Sequence, residues 1–363
     1  MRRGWVVLGL TAGAMLLPPW MSARAEPSGS GAPAGASAGA SAGRPTGTAG
    51  RGELRCSIDD PRITESSGLV AVGDRLYTVN DGGSRLQVFV LDGSSCRVVR
   101  TVTAGIDPYD VEDLARSADG TLWLADLGDN DRQRRTVAIE LLTEGGTARL
   151  FRFGYPDGPH DAEALLLDRA GRPFIVTKEP LGNSGVYTPA GTPSTSRPTP
   201  LRRVTALHFT PSGTPGGPVG VAGQLMVTGG AVSPDGTRIV LRTYTDAYLW
   251  QAADGDVAAA LSAGKPVRIP LPATRQGEAI AFSPDGRSLL TSTEGRPAAV
   301  HAVPFGGLVA PATSRTPDAT ARPPSDPAKQ KGFDVFGKLV LALGVAAVIV
   351  WGGGKAASMT RRD

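Results

Sequence analysis

The sequence predicts an all-β chain, a β-propeller of about five blades with room for six or seven, followed by a single transmembrane helix. Three observations predict it. A hairpin unit recurs five times between residues 54 and 305, no helical stripe of useful length separates the copies, and a long charge-free apolar run lies near the C-terminus.

The recurring unit is clearest when the hairpin glycines are aligned. Val111-Glu112-Asp113-Leu114 leads to Ala118-Asp119-Gly120 and then Leu122-Trp123-Leu124. Ala162-Glu163-Ala164-Leu165 leads to Gly171 and then Phe174-Ile175-Val176. Gly277-Glu278-Ala279-Ile280 leads to Ser283-Pro284-Asp285-Gly286 and then Ser288-Leu289-Leu290. The stretch before Ser233-Pro234-Asp235-Gly236 fits the same frame, with Ile239-Val240-Leu241 after it. The opening copy is looser: Glu65-Ser66-Ser67-Gly68-Leu69, a tight Gly73-Asp74 turn, then Leu76-Tyr77-Thr78-Val79. An apolar run, an Asp/Gly turn and a β-branched or aromatic run make a hairpin. Copies spaced by roughly 45 to 65 residues match a four-stranded blade. Leu86–Leu91 and Val98–Val102 supply the outer pair of the first blade.

Few residues remain after Val303 in the fifth copy, and Leu54–Ile58 precedes the first. Using the chain's own start as the last outer strand would remove the final sheet edge. Cys56 would then lie on that strand and Cys96 in the neighbouring blade. In an oxidising compartment a disulfide between them is the expectation, two free thiols being the alternative.

The ends are addressed to a membrane. Residues 1–25 read as a signal peptide: Arg2-Arg3, an apolar middle, and Ala23-Arg24-Ala25 as cleavage site. An uncleaved anchor is the alternative. Residues 26–52 form a Gly/Ala/Ser/Pro lead-in and residues 306–332 a Pro-rich stalk, both expected to be disordered. Residues 333–354 are the predicted transmembrane helix, with a surface helix as the alternative. Lys355, Arg361 and Arg362 keep the tail 355–363 cytoplasmic. The body is thereby expected outside the cell. Both ends are net positive, while residues 53–305 hold 25 basic and 29 acidic side chains. The high pI belongs to the ends, and no basic stripe invites nucleic acid.

The Ser-Pro-Asp-Gly turns at 233–236 and 283–286 resemble those of WD40-like and TolB-like propellers. The openings Asp161-Ala162-Glu163-Ala164-Leu165 and Gln276-Gly277-Glu278-Ala279-Ile280 resemble phytase-like and lactonase-like propellers. That likeness implies a calcium ion in the central channel. The run Asp126-Leu127-Gly128-Asp129-Asn130, followed by Arg132, Arg134 and Arg135, is similar to exported propellers of actinobacterial type. No copy has the Gly-His…Trp-Asp frame, so the partners of true WD40 repeats do not carry over.

Glu112, Glu163 and Glu278 each precede their hairpin glycine by eight residues, as Glu65 precedes Gly73 and Thr228 precedes Gly236. Equal spacing puts them at the start of the innermost strands and on one side of them. The return strands end at the same mouth, with Asn80-Asp81, Asp126, Asp129-Asn130, Lys178-Glu179, Arg242 and Glu294. Crowded carboxylates need a metal, protons or basic partners. Calcium would be held by Glu112, Glu163, Glu278, Asn80 and Asp126. The alternative is pairing with Lys178 and Arg242 on the same rim. His160 borders the mouth and could act as a general base, a role that a rim carboxylate could also take. No Gly-x-Ser-x-Gly elbow is present. The expected function is a membrane-anchored module of the cell envelope that binds an extracellular ligand or protein. The alternative is a calcium-dependent hydrolase of ester, lactone or phosphoester bonds, with a purely structural envelope role as a third.

Overall fold

The computed structural model describes residues 52–306. The stretches read as signal peptide, lead-in, stalk, apolar span and tail lie outside the described residues, except for Gly52 and Gly306. No helix among the described residues is long and apolar enough to cross a membrane.

Strand β1 (Glu53–Ile58) is followed by four antiparallel four-stranded units. They are β2 (Ser66–Val72), β3 (Arg75–Asn80), β4 (Leu86–Asp92) and β5 (Val98–Ala104); β6 (Val111–Arg116), β7 (Leu122–Asp126), β8 (Val137–Leu142) and β9 (Ala148–Gly154); β10 (Ala162–Leu167), β11 (Pro173–Thr177), β12 (Asn183–Pro189) and β13 (Thr199–His208); and β14 (Val227–Val232), β15 (Arg238–Thr243), β16 (Asp246–Gln251) and β17 (Val267–Pro270). The last unit is β18 (Gly277–Phe282), β19 (Ser288–Thr293) and β20 (Ala298–Pro304), completed by β1, which pairs antiparallel with β20. The predicted closing strand is therefore the one used. A short parallel pairing of Thr199 with Phe153 joins the outer edges of the second and third units.

The hydrophobic core is divided among the interfaces between neighbouring units. Val88 and Val90 pack with Leu114 and Leu124, Ile139 and Phe153 with Leu165 and Ile175, and Phe174 and Val186 with Ile239 and Leu241. Val240 and Leu249 meet Phe282 and Leu289, and Leu290 and Val300 return to Leu69 and Phe89 of the first unit. Each sheet is thus buried on both faces. This explains why inner strands such as β10 and β18 are buried at every position and show no polar alternation. A closed circuit of sheets meeting face to face is a propeller-like, all-β fold.

The Ser-Pro-Asp-Gly turns have a local cause. The Ser233 and Asp235 side chains bond at 2.5 Å, the Arg238 N–H donates to Ser233 Oγ, and Gly236 takes φ +65°. Ser283, Asp285 and Gly286 repeat the arrangement. A side-chain oxygen replaces the missing ladder partner, and glycine supplies the left-handed residue.

The disulfide Cys56–Cys96 is formed, with Cα atoms 5.7 Å apart. It joins β1 of the last unit to the β4–β5 connection of the first. One short helix, α1 (Val257–Ala263), was not expected from the sequence. Asp256 caps it by accepting the Ala259 N–H, and Val257, Ala260 and Leu261 bury against Trp250. The long interval before β14 holds a 3-10 turn, Gly220–Gln224. Asp246, fully buried, fastens this segment by accepting hydrogen bonds from Ser212, Thr214 and Thr245 while pairing with Arg268.

Candidate functional site

The glutamates stand where each inner strand breaks its ladder. Glu112, Glu163 and Thr228 are the extra residues between the register pairs that flank them, and Glu278 lies in the corresponding gap of β18. A bulge turns a side chain that would otherwise alternate. The first copy departs from the expected frame. Its ladder begins with Ser66 opposite Asn80, as the second begins with Val111 opposite Asp126, so Ser67 takes the glutamate's place. Glu65 lies two residues earlier. The cause is the turn: Val72 pairs with Arg75 around two residues, whereas Arg116 pairs with Leu122 around five. Counting back from Gly73 therefore overshoots.

Glu112, Glu163 and Glu278 do converge. All three are buried, at 7, 3 and 4% exposure. Glu163 forms an ion pair with Lys178, whose ammonium also lies 5.4 Å from the centre of the Tyr244 ring. Ser67 Oγ donates to the Glu112 carbonyl at 2.7 Å. Arg242 is fully buried and donates to the carbonyls of Ala279 and Ser292 at 2.7 and 2.8 Å. A Cβ at Gly277 would overlap its guanidinium, and one at Gly128 would overlap the Asp110 and Glu112 carboxyls.

Burial, then the Glu163 and Asp110 carboxyls, push Glu112 well above the usual carboxylate range. Burial and Glu163 do the same to Glu278, against the pull of Lys178 and Arg242. Burial takes Glu163 up to about 7 although Lys178 opposes it. For Lys178, burial favours the neutral amine, but Glu163, Tyr244, Glu278 and Glu112 outweigh it and hold the proton tightly. Burial lowers Arg242 to about 10. Two buried cations thus lie near three buried carboxyls whose proton affinity burial raises.

Other expected rim residues are engaged nearby. Asp126 accepts the Tyr109 and Asp110 N–H groups at 3.0 Å and pairs with Arg134 at 2.8 Å. The Asn80 amide donates to the Arg62 carbonyl. Asp129 accepts the N–H groups of Gln133 and Arg134, which folds the loop and leaves Asn130 exposed. Glu179 pairs with Arg132 at 2.8 Å. Asp81 is pushed up to about 8 by burial and by Glu65, with Glu294 and Asp110 adding to it. Glu294 also accepts from the Gln276 amide.

His160 sits in an aromatic cluster with Tyr155 and Tyr187. Its Nε2 lies 3.0 Å from Asp157 Oδ1 and 3.1 Å from Tyr187 Oη, and Tyr187 donates to Asp157 Oδ2 at 2.8 Å. His208 and His301 lie on β13 and β20, away from the inner strands.

Asp113 was missed by the sequence reading. It is fully buried and accepts the N–H groups of Leu114, Leu165 and Gly230. Burial nonetheless pushes its carboxyl well above the usual range. The signal was present: the residue after the glutamate position is Gly68, Ala164, Gly229 and Ala279 in the other copies. Close neighbours demand small residues there, and a Cβ at Gly229 would lie 2.8 Å from the Glu278 carbonyl oxygen.

The accessible cavity is at the other end of the inner strands. A volume of about 860 Å³ opens at the hairpin turns and is lined by residues of all five units, among them Leu69, Leu114, Leu165, Gly230 and Phe282. This lies within the roughly 300–1,000 Å³ range of small-molecule sites. Among the described residues, no group of three or more His, Cys, Asp or Glu is arranged to hold a metal ion.

No protein-family model and no curated protein matches the sequence. Among solved structures, the chain is similar to the β-propeller domain of Cps50 (Swd1) from Myceliophteria thermophila, with 13% identity, 70% of this chain and 99% of that chain covered, and a TM-score of 0.39. It is similar also to the WD40 repeats of RRP9, with 11% identity, 70% and 99% coverage and a TM-score of 0.36. A gluconolactonase from Xanthomonas campestris gives 14% identity, 72% and 99% coverage and a TM-score of 0.39. Likeness at this level carries nothing about what the chain binds or catalyses.

Proposed function

We propose that the chain is a five-bladed propeller held outside the cell by its C-terminal apolar span, and that it binds an extracellular ligand or protein partner. One observation carries the reading. The buried glutamates at the acidic end of the inner strands are engaged from within, Glu163 by Lys178, with Arg242 bonded to the Ala279 and Ser292 carbonyls, while the hairpin end holds a cavity of about 860 Å³ that every unit helps to line. A rigid ring with an open, mostly apolar hollow suits recognition.

The test uses the full-length protein purified from membranes. Native mass spectrometry should detect a co-purifying ligand that is lost when Ala115→Trp fills the cavity, with thermal melting confirming that the variant folds. Identical bound species in both proteins would refute the cavity as the site. Surface labelling of intact cells with a membrane-impermeant reagent should reach the body; labelling only after lysis would refute the topology.

The alternative, a calcium-dependent hydrolase, would need a cation among carboxyls such as Asp81, Glu65, Asp110 and Glu294, although no such group is arranged to hold one among the described residues. A cation there would relieve the repulsion. Calcium should then raise the melting temperature, and Asp81→Asn should abolish the rise. No rise in wild type would remove that reading.

A further inference from the structure

The cavity at the hairpin end has two unlike walls. The first and fifth units contribute Leu69, Ala71, Val72 and Phe282. The second and third contribute Arg116, Arg149 and Arg169 beside apolar residues such as Leu114, Trp123 and Leu165, so the arginines form one charged sector of a mostly apolar lining. Arg149 stacks its guanidinium 4.9 Å from the centre of the Phe151 ring, and Arg169 donates to the Asp235 carbonyl. Neither makes an ion pair among the described residues. Arg116 lies 3.6 Å from Glu144, but that carboxylate is held more closely by Arg100, at 2.9 Å. The Arg116 Nε is buried with no acceptor.

The acids on the same lining are already engaged in their own turns. Asp119 accepts from Ser117 Oγ and the Thr121 N–H, at 2.6 and 3.0 Å. Asp168 accepts the Ala170 and Arg172 N–H groups at 2.9 and 2.8 Å and lies 3.8 Å from Arg172 Nε. The wall therefore presents three guanidinium groups: Arg149 and Arg169 make no ion pair among the described residues, and Arg116 shares Glu144 with Arg100. These groups favour oxyanions, two of whose oxygens they can meet with parallel hydrogen bonds.

We propose that this cavity binds an amphiphilic anion: an apolar body against the first and fifth units, and a carboxylate, sulfonate or phosphate head at the arginines. The inference rests on the reading of the chain as a binding module and assigns its ligand class. The two walls set the orientation. The apolar body leaves water on one side, and the head keeps charge-assisted hydrogen bonds on the other.

The test compares naphthalene-2-sulfonate with naphthalene-2-sulfonamide, which has the same body and no charge. Binding to full-length protein in lipid nanodiscs is measured by calorimetry, with empty nanodiscs subtracted. The sulfonate should bind at least about tenfold more tightly. The double variant Arg116→Gln/Arg149→Gln should erase that preference while the sulfonamide affinity stays unchanged. Val72→Asp should weaken both compounds. Equal affinities, or a preference that survives loss of the arginines, would overturn the anion assignment and leave the binding module standing. Failure of both compounds to bind would overturn the assignment together with the use of this cavity for recognition.

Discussion

The Gly230 N–H donates to the Asp113 carboxylate at 3.2 Å across 117 residues of sequence. The Leu165 N–H reaches the same oxygen at 2.8 Å, and the Leu114 N–H the other at 2.8 Å. One side chain thus ties together the inner strands of three consecutive units. Asp113→Ala would leave these buried donors without their acceptor, and each unsatisfied group costs about 1–3 kcal/mol. The expected loss is about 3 kcal/mol or more by chemical denaturation, with Asp113→Asn losing less because it retains one acceptor. A loss within about 0.5 kcal/mol for the alanine variant would show that the network is incidental.

Glu140 predicts a pH dependence. It is fully buried, with the Asp126 carboxyl close by. Burial first, then the nearby Asp126 carboxylate, push it from its ordinary 4.5 to about 8, with Arg134 pulling weakly the other way. Between those values the folded protein keeps a proton that the unfolded chain releases. Stability must therefore fall as pH rises through this window. Asp110, pushed up to about 6, and Glu163, to about 7, act in the same direction. Glu140→Gln should melt above wild type at about pH 8 and close to it at about pH 5, with a shallower slope between. An unchanged slope would mean that Glu140 does not titrate in this window.

Much of this arrangement was legible in the sequence because it follows from spacing. Glu112, Glu163 and Glu278 share one distance to a hairpin glycine, across five-residue turns for the first two and a six-residue turn for the third, and so start equivalent inner strands. The same count failed at Glu65, because Gly73 belongs to a two-residue turn and Gly120 to a five-residue one. Cys56 and β1 could be placed because an open sheet edge needs a partner. Asp113 stood out only as the acid where the other copies have Gly or Ala, and its role could not be read from that because the N–H groups it accepts come from strands 52 and 117 residues away. The cavity at the hairpin end escaped for a related reason, since it forms where residues of five distant turns meet. Lys178 could be placed beside the glutamates as the alternative to calcium, and it pairs with Glu163.

The Glu163–Lys178 pair should behave as a unit. Both residues are nearly inaccessible, at 3 and 8% exposure. Removing one partner of a buried pair leaves the other charged and desolvated, at a cost of about 3–5 kcal/mol. Lys178→Met alone should therefore destabilise strongly, and Glu163→Gln added to it should recover part of the loss. The coupling is read from a double-mutant cycle in denaturant. Additive effects would show that the two side chains stabilise the ring independently.

The disulfide makes a prediction about where the ring opens. β1 has a ladder partner on one side, β20, and most of its residues are exposed. Such a strand frays readily unless something holds it. Cys56 anchors it to Cys96, buried at 2% exposure in the first unit, so the covalent bond spans the junction between the chain's first and last strands. Cys56→Ser with Cys96→Ser should lower stability by about 2–4 kcal/mol. The hydrogen-exchange pattern discriminates further. Without the bond, amides of β1 and β20 should lose protection before those of β6 to β13, because only the junction has lost its tether. Protection that falls uniformly around the ring would mean that the disulfide acts on the unfolded chain alone and does not hold the closing strand in place.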